Sequence, residues 1–187
     1  AVEITVESAG DNRPKIDQYQ VPVAGQDRFA LLLSLIDRLH YHRVMVFANR
    51  KTTVMGLGRR MEKAGRSADC LHGDIPQGQR NRVMQSFRDG KFEILVATDV
   101  AARGIDVDDV EAVFNYDVPD ENEYYLHRIG RTGRAKRRGA SFTFTGDADA
   151  FRIRDIKKYT HSDMTLLTPQ PGGTFLIVNE ADGYGFL

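Results

Sequence analysis

The spacing of apolar residues changes repeatedly along this chain. Residues 44–48 (VMVFA) and 93–97 (EILVA) form short apolar runs, as expected of strands covered on both faces. Between such runs, apolar residues recur every three or four positions, which is typical of amphipathic helices. The spacing predicts strands at 18–23, 44–48, 68–71, 93–97, 110–115 and 140–145, and helices at 26–40, 52–64, 77–88, 121–131 and 148–159.

This alternation of strand and helix predicts one α/β domain over residues 16–160, with a mostly parallel sheet and helices on both faces. Residues 1–15 are polar and are interrupted by Gly10 and Pro14, so we expect an extended lead-in. Residues 161–187 contain a Pro- and Gly-rich stretch and one more apolar run at 174–178. We expect a C-terminal extension there, packed on the domain edge, and assign it no role.

Composition excludes several classes of site. Lysine plus arginine equals aspartate plus glutamate at 26 each, so a basic site must be local. Residues 127–138 are such a site, with five arginines, one lysine and no acid. Cys70 is the only cysteine and the five histidines lack ligand spacing, so we expect no disulfide and no metal site. No apolar run reaches membrane-spanning length and no signal peptide is visible, which favours a cytoplasmic protein without membrane contact.

Residues 127–134 (HRIGRTGR) carry the strongest local pattern. Arg128, Arg131 and Arg134 recur every third residue, and on a helix such like charges repel each other. Each intervening glycine costs a helix roughly 1 kcal/mol relative to alanine. One interpretation is a solvated basic face at a helix end. The other is an anion site, because an anion among the guanidinium groups turns repulsion into attraction.

Six motifs together resemble the second, C-terminal RecA-like domain of DEAD-box ATP-dependent RNA helicases. The resemblance covers roughly residues 16–158 and implies a RecA-like fold of the P-loop NTPase type. In chain order the motifs are VMVFANR (44–50), HGDIPQGQR (72–80), FRDG (87–90), ATDVAARGID (97–106), NYDVP (115–119) and HRIGRTGR (127–134).

The resemblance implies a role for several residues in binding and hydrolysing ATP. Arg131 and Arg134 match the arginine fingers that stabilise charge on the transferring phosphate. Asp106 matches the residue that accepts a hydrogen bond from the ribose, and Gly104 lets the backbone approach the nucleotide. From its spacing alone, Asp106 is equally well a turn or cap residue. His127 and Arg128 match residues that couple the loop to the partner domain.

The resemblance also implies contacts to the RNA backbone. Thr98 matches a phosphate-binding threonine, and Gly73 with the helix start at Gln77 matches a second phosphate contact. Gln77 and Arg80 match the family's Q-x-x-R element, although Arg80 alone is equally a surface arginine. Arg50 stands where many members have a threonine.

The sequence lacks the phosphate-binding motif G-x-x-x-x-G-K-[S/T], and it lacks D-E-A-D and S-A-T. In the family these belong to the first, N-terminal RecA-like domain, which holds most of ATP and Mg²⁺. The resemblance therefore implies half of an RNA helicase, inactive without that partner domain. Two alternatives are a binding module without catalytic role and a different α/β phosphate-binding enzyme. The latter would need its own phosphate loop and base, which the sequence does not show.

Overall fold

A largely parallel sheet forms the centre of the computed structural model, which describes residues 2–3, 15–134, 137–179 and 183–187. Most of the expected lead-in therefore lies outside the described residues. The described strands are β1 Val2–Glu3, β2 Lys15–Pro22, β3 Val44–Phe47, β4 Ala68–Leu71, β5 Ile94–Ala97, β6 Ala112–Asn115, β7 Arg138–Thr145, β8 Thr165–Pro169, β9 Phe175–Asn179 and β10 Gly183–Phe186. They lie in the order β10-β9-β8-β2-β7-β6-β3-β5-β4, and β1 pairs with β2.

The direction of the strands confirms the predicted α/β architecture. Strands β2 to β8 run parallel to their neighbours within that group, whereas β1, β9 and β10 pair antiparallel. Strand β2 lies between β7 and β8, so the first long strand of the chain is internal to the sheet. Pro22 is its last residue, as expected from the missing backbone donor of proline.

The helices cover both faces of the sheet. They are α1 Arg28–Arg38, α2 Lys51–Lys63, α3 Gln77–Arg88, α4 Asp99–Ala102, α5 Asn122–Ile129 and α6 Ala150–Thr160. One apolar cluster joins α1 and α2 to one face, and two others join α3 to α6 to the opposite face. The short helix α4 was not predicted, because four residues are too few to show a helical spacing of apolar positions.

Helix α5 ends earlier than the sequence predicts. Gly130 is its C-cap, and Thr132 donates from its hydroxyl to the carbonyl of Val110 at 2.5 Å. This bond pulls the chain beside the strand entrance at Val110. Arg131 and Arg134 consequently lie beyond the helix, so the three arginines do not share one helical face.

The C-terminal residues continue the sheet. The predicted strand at 174–178 is confirmed as β9, while β8 and β10 were not predicted. Leu167 and Phe175 are fully buried in the same apolar cluster as α1 and α2. The expected extension thus contributes to the core, and its boundary at residue 160 stays a prediction.

Gly58 in α2 gives a test of this packing. A Cβ at this position would lie 2.6 Å from the Cys70 thiol, which donates to the Val54 carbonyl at 3.6 Å. We expect a net destabilisation of about 1 kcal/mol from Gly58→Ala, because the clash with the thiol outweighs the higher helix propensity of alanine. The double variant Gly58→Ala/Cys70→Ala should be more stable than the sum of the two single changes predicts, because the clash is removed. Urea unfolding of the four variants measures this coupling, and simple additivity would contradict it.

Candidate functional site

The carboxyl ends of four neighbouring strands bring most of the predicted functional residues to one edge of the sheet. In spatial order these strands are β6, β3, β5 and β4. The segments that follow them carry Asp117, Arg50, Thr98 and Gly73 respectively. Parallel strands direct their following loops to the same edge, which explains why residues distant in sequence meet here.

Thr98 is held rigidly at this edge. It is the N-cap of α4, where its hydroxyl oxygen accepts from the Ala101 amide at 3.4 Å. Its own amide donates to the Leu71 carbonyl at 3.2 Å, and only 8% of its surface is exposed. Among the described residues no acceptor takes its hydroxyl hydrogen, so this hydrogen remains available to a ligand.

The other predicted RNA-binding residues surround Thr98 with different degrees of order. Arg80 donates to the Ala101 carbonyl at 3.1 Å and thereby joins α3 to α4. Gly73, Gln77 and Arg50 are exposed. The Gln77 amide donates to Asn81 at 2.9 Å, whereas the Arg50 side chain makes no capping bond at the start of α2.

An ion pair joins two of the loops at this edge. Lys51 lies 2.7 Å from the Asp74 carboxylate, and their hydrogen bond lowers the pKa of Asp74 below its ordinary value. Both side chains are more than half exposed, so the pair contributes little to stability. The pair links the start of α2 to the loop after β4.

Arg128 is almost completely buried behind this edge, with 1% of its surface exposed. It donates to both carboxylate oxygens of Asp99 at 2.7 Å. It also donates to Asn49 at 2.6 Å and to the Asp117 carbonyl at 2.9 Å, with a longer bond of 3.4 Å to Asn115. All five guanidinium N–H groups are therefore engaged within this domain. If Arg128 couples to another domain, it does so by positioning the loops that it joins.

Arg131 is bound to the loop that carries Gly104. Its guanidinium donates to the carbonyl of Ala102 at 3.1 Å, to that of Val107 at 3.4 Å and, by a short bond, to that of Ile105. Burial lowers the pKa of Arg131 from its ordinary value. Gly104 turns the loop with φ +75°, a conformation that favours glycine.

Arg134, Asp106 and His127 line a surface depression of about 340 Å³ next to Arg131. All three are exposed, and to the described residues the Arg134 side chain makes one hydrogen bond, from Nε to the Gly130 carbonyl at 3.3 Å. The Asp106 carboxylate accepts no hydrogen bond from any described residue, so it caps none of the described turns. Gly104 lies beside His127 and Arg131 in an adjoining cleft of about 290 Å³.

The predicted residues thus fall into two sets, one at each end of the segment 98–106. Thr98, at the start of segment 98–106, belongs to the first set, the Thr98 set, together with Arg50, Gly73, Gln77 and Arg80. Asp106 ends the segment within the second set, with Arg131 and Arg134. An anion in the second set would meet two arginine side chains with unused N–H groups, a favourable site for phosphate.

Sequence reasoning missed the partners of Arg128. Asn49, Asp99 and Asp117 lie after three different strands, and each contacts the same buried guanidinium. Polar residues directly after buried strands were the available signal, but single side chains in such stretches are not distinguishable by spacing. In the described part of the chain, no group of three His, Cys, Asp or Glu side chains is placed to hold a metal ion. No described helix is long and apolar enough to cross a membrane.

Comparison with known proteins gives one consistent family. Residues 27–136 match the family model described as helicase conserved C-terminal domain. ATP-dependent RNA helicase RhlB of Pseudomonas aeruginosa is 42% identical over 168 residues, which are 90% of this chain and 42% of that protein. CshA of Geobacillus kaustophilus, a DEAD-box ATP-dependent RNA helicase, is 38% identical over 83% of the chain. The chain therefore spans less than half of the length of these relatives.

Solved structures agree with this result. The E. coli DEAD-box protein SrmB, solved bound to the regulator of ribonuclease activity A, superposes with TM-score 0.76 and 36% identity. That match covers 82% of this chain and 91% of the SrmB chain. S. cerevisiae Dbp5, solved with RNA and ADP BeF3, superposes with TM-score 0.75 and 33% identity over 82% of this chain and 41% of that one.

Proposed function

Because this chain belongs to the helicase conserved C-terminal domain family, in its DEAD-box group, we propose that it is the half of an ATP-dependent RNA helicase that closes over ATP and RNA. A separate N-terminal RecA-like domain of the same protein would hold most of the ATP and Mg²⁺. The complete protein would unwind or remodel RNA in the cytoplasm. The observation that carries the proposal is segment 98–106, which joins the Thr98 set directly to the Asp106 and arginine set.

The arginine set supports binding of the transferring phosphate. Phosphoryl transfer accumulates negative charge on the phosphate oxygens, and positioned guanidinium groups stabilise that charge. Carbonyl bonds use three N–H groups of Arg131, which leaves Nε and one N–H of Nη2 for an anion. Toward the described part of the chain Arg134 uses only its Nε, which leaves both Nη groups for an anion. Arg131 would therefore give a fixed contact and Arg134 a mobile one.

Asp106 fits the part of the nucleotide that donates hydrogen bonds. A free carboxylate next to Arg131 can accept from the ribose hydroxyl groups while the arginines face the phosphates. Gly104 supports this arrangement, because its positive φ turns the loop. As a glycine it also places no side chain in the adjoining cleft.

The Thr98 set supports binding of an RNA backbone. Its groups are a fixed hydroxyl at Thr98, the start of α3 and the exposed Arg50 guanidinium. The α3 N-terminus has no side-chain cap, so its first amides are open to a phosphate. Such groups contact phosphates and not base edges, and so predict little sequence preference. Since the net charge is zero, we expect weak RNA affinity for this domain alone.

An isolated binding module is the competing function. The decisive test is RNA-stimulated ATPase activity of this chain alone and of the chain joined to an N-terminal RecA-like domain with a phosphate loop. We expect no turnover from the chain alone, because its sequence has no motif to hold the triphosphate, and turnover from the joined protein. Hydrolysis by the contaminant-free chain alone, or none by the joined protein, would contradict the proposal.

Thr98 gives a separate test of the RNA contact. In the joined protein, Thr98→Ala should weaken RNA binding in the presence of a non-hydrolysable ATP analogue by roughly tenfold, the size of one charge-assisted hydrogen bond. The loss should be similar for unrelated RNA sequences, as measured by fluorescence anisotropy. Thr98→Ser is the matched control, because it keeps both the hydroxyl and the cap of α4. A loss confined to one RNA sequence would show a base contact instead.

A further inference from the structure

A second cavity lies at the opposite edge of the sheet, where β2, β6 and β7 begin. Its volume is about 840 Å³, against about 340 Å³ for the depression beside Asp106. Ligand pockets in proteins occupy roughly 300–1,000 Å³ and are mostly apolar with a few polar groups. Neither the predicted ATP contacts nor the predicted RNA contacts use this cavity, apart from Arg134 at its border.

Aromatic rings form the apolar part of this cavity. Tyr19 and Phe142 are stacked with ring centroids 5.0 Å apart, and Phe114 continues the stack behind Phe142 at 4.8 Å. Tyr41 meets the Phe142 ring edge-on at 6.3 Å. The hydroxyl groups of Tyr19 and Tyr41 make no hydrogen bond to any described residue. Both faces of the Phe142 ring are thus covered and 1% of its surface is exposed, so a planar ring entering here would contact the rings of Tyr19 and Tyr41 and their two phenol hydroxyls.

Three arginines and three acids line the cavity, so its charges balance, but two of the arginines have no acidic partner among the described residues. Each of the three acids is already engaged. Asp17 pairs with Arg138 at 2.7 Å, Asp109 pairs with Arg43 at 3.0 Å, and Glu111 accepts from the amides of residues 42 and 43. Arg137, by contrast, has no side-chain partner among the described residues, and Arg134 has only the Gly130 carbonyl.

We propose that this cavity binds a planar aromatic phosphate, with the ring against Tyr19 and Tyr41 and the phosphate on Arg137 and Arg134. Two unpaired guanidinium groups match a phosphate in charge and geometry. Arg134 borders both this cavity and the depression beside Asp106. A ligand that holds Arg134 here withdraws it from the transferring phosphate of ATP. The withdrawal of Arg134 from ATP rests on the proposed function, whereas binding of the ligand to the cavity does not.

Binding is tested with the chain itself and 1-naphthyl phosphate as the probe, measured by equilibrium dialysis. We expect the probe to bind at least roughly tenfold more tightly than inorganic phosphate or 1-naphthol, because each of these lacks one half of the recognised chemistry. Arg137→Ala should weaken binding about tenfold, as expected for one charge-assisted contact. Tyr41→Leu should also weaken binding while retaining an apolar side chain. Equal binding of wild type and Arg137→Ala overturns the proposal.

Two controls separate this cavity from other basic sites. Arg154→Ala removes an exposed charge on α6, outside the residues that line the cavity, and should not change probe binding. Arg131→Ala alters the depression beside Asp106 but not this cavity, so it should also leave binding intact. Loss of binding in Arg131→Ala, with none in Arg137→Ala, would place the probe at the nucleotide depression and overturn the proposal.

The effect on Arg134 is tested in the joined protein. Saturating probe should lower kcat of the RNA-stimulated ATPase, and the Arg137→Ala form should resist this inhibition at the same concentration. Binding without inhibition would disprove the Arg134 step. If the probe fails to bind while substitution of Arg134 still abolishes turnover, this inference fails and the proposed function stands.

Discussion

Arg134→Ala should reduce kcat of the joined, RNA-saturated protein by roughly 10³-fold or more, which is the contribution measured for arginine fingers. Arg134 is exposed, and its one side-chain hydrogen bond within the described structure goes to a carbonyl of its own loop, so its removal should change the free energy of unfolding by less than about 0.5 kcal/mol. Steady-state ATPase assays and thermal melts of the same samples measure both quantities. RNA binding without nucleotide should remain near wild type.

Arg131 provides an instructive comparison with Arg134. Arg131→Ala should lower kcat by a similar factor, but it should also destabilise the fold by about 1 kcal/mol or more, since three carbonyls lose their donor. Lysine should not rescue either position, because it lacks the planar fork of guanidinium donors. Folded variants with wild-type turnover would show that residues 127–134 form only a solvated basic segment.

Arg128→Ala should destabilise the domain by roughly 3–5 kcal/mol, the range seen when one member of a buried ion pair is removed. The Asp99 carboxylate, 14% exposed, would lose its partner, and Asn49 and the Asp117 carbonyl would each lose a donor. Urea unfolding of the chain alone measures this loss. We expect the loops after β3, β5 and β6 to lose their fixed spacing at the same time.

Two further variants show whether the ion pair is the cause. Arg128→Ala combined with Asp99→Ala should be less destabilised than the sum of the two single changes, because no buried charge remains unpaired. Arg154→Ala, which removes an exposed arginine, should lie within about 0.5 kcal/mol of wild type. A small effect of Arg128→Ala would mean that solvent replaces the guanidinium contacts.

The regular elements were predictable where a long spacing pattern exists. Residues 68–71 and 77–88 were predicted with the bounds that β4 and α3 have in the structure. The elements α4, β8 and β10 were missed although β4, which is equally short, was predicted: α4 is too short for a helical spacing, and β8 and β10 lie outside the alternation of strand and helix. Strand β8 becomes a strand through pairing with β2, which the sequence does not reveal.

The candidate site was predictable as a set of residues but not as an arrangement. The motif resemblance named Arg128, Arg131 and Arg134 together, and the structure gives them three different environments. Arg128 is buried with every donor engaged, Arg131 is bound to backbone carbonyls, and Arg134 is exposed. Equal spacing does not encode these differences, because they depend on where α5 ends and on which loops approach each guanidinium. The roles assigned to each residue stay predictions.

The position of β2 inside the sheet has a consequence for synthesis of the chain. Gln20 meets Thr145 across 125 positions of sequence, and β8, on the other side of β2, is made later still. At ribosomal rates of roughly 5–20 residues per second, β2 waits on the order of ten seconds for its first parallel partner. During that interval the edge that will meet β7 is open to other strands, and on the other edge only Asp17 and Gln18 have a partner already made, in β1. The domain therefore completes this part of its sheet by inserting β2 between two strands that are synthesised later.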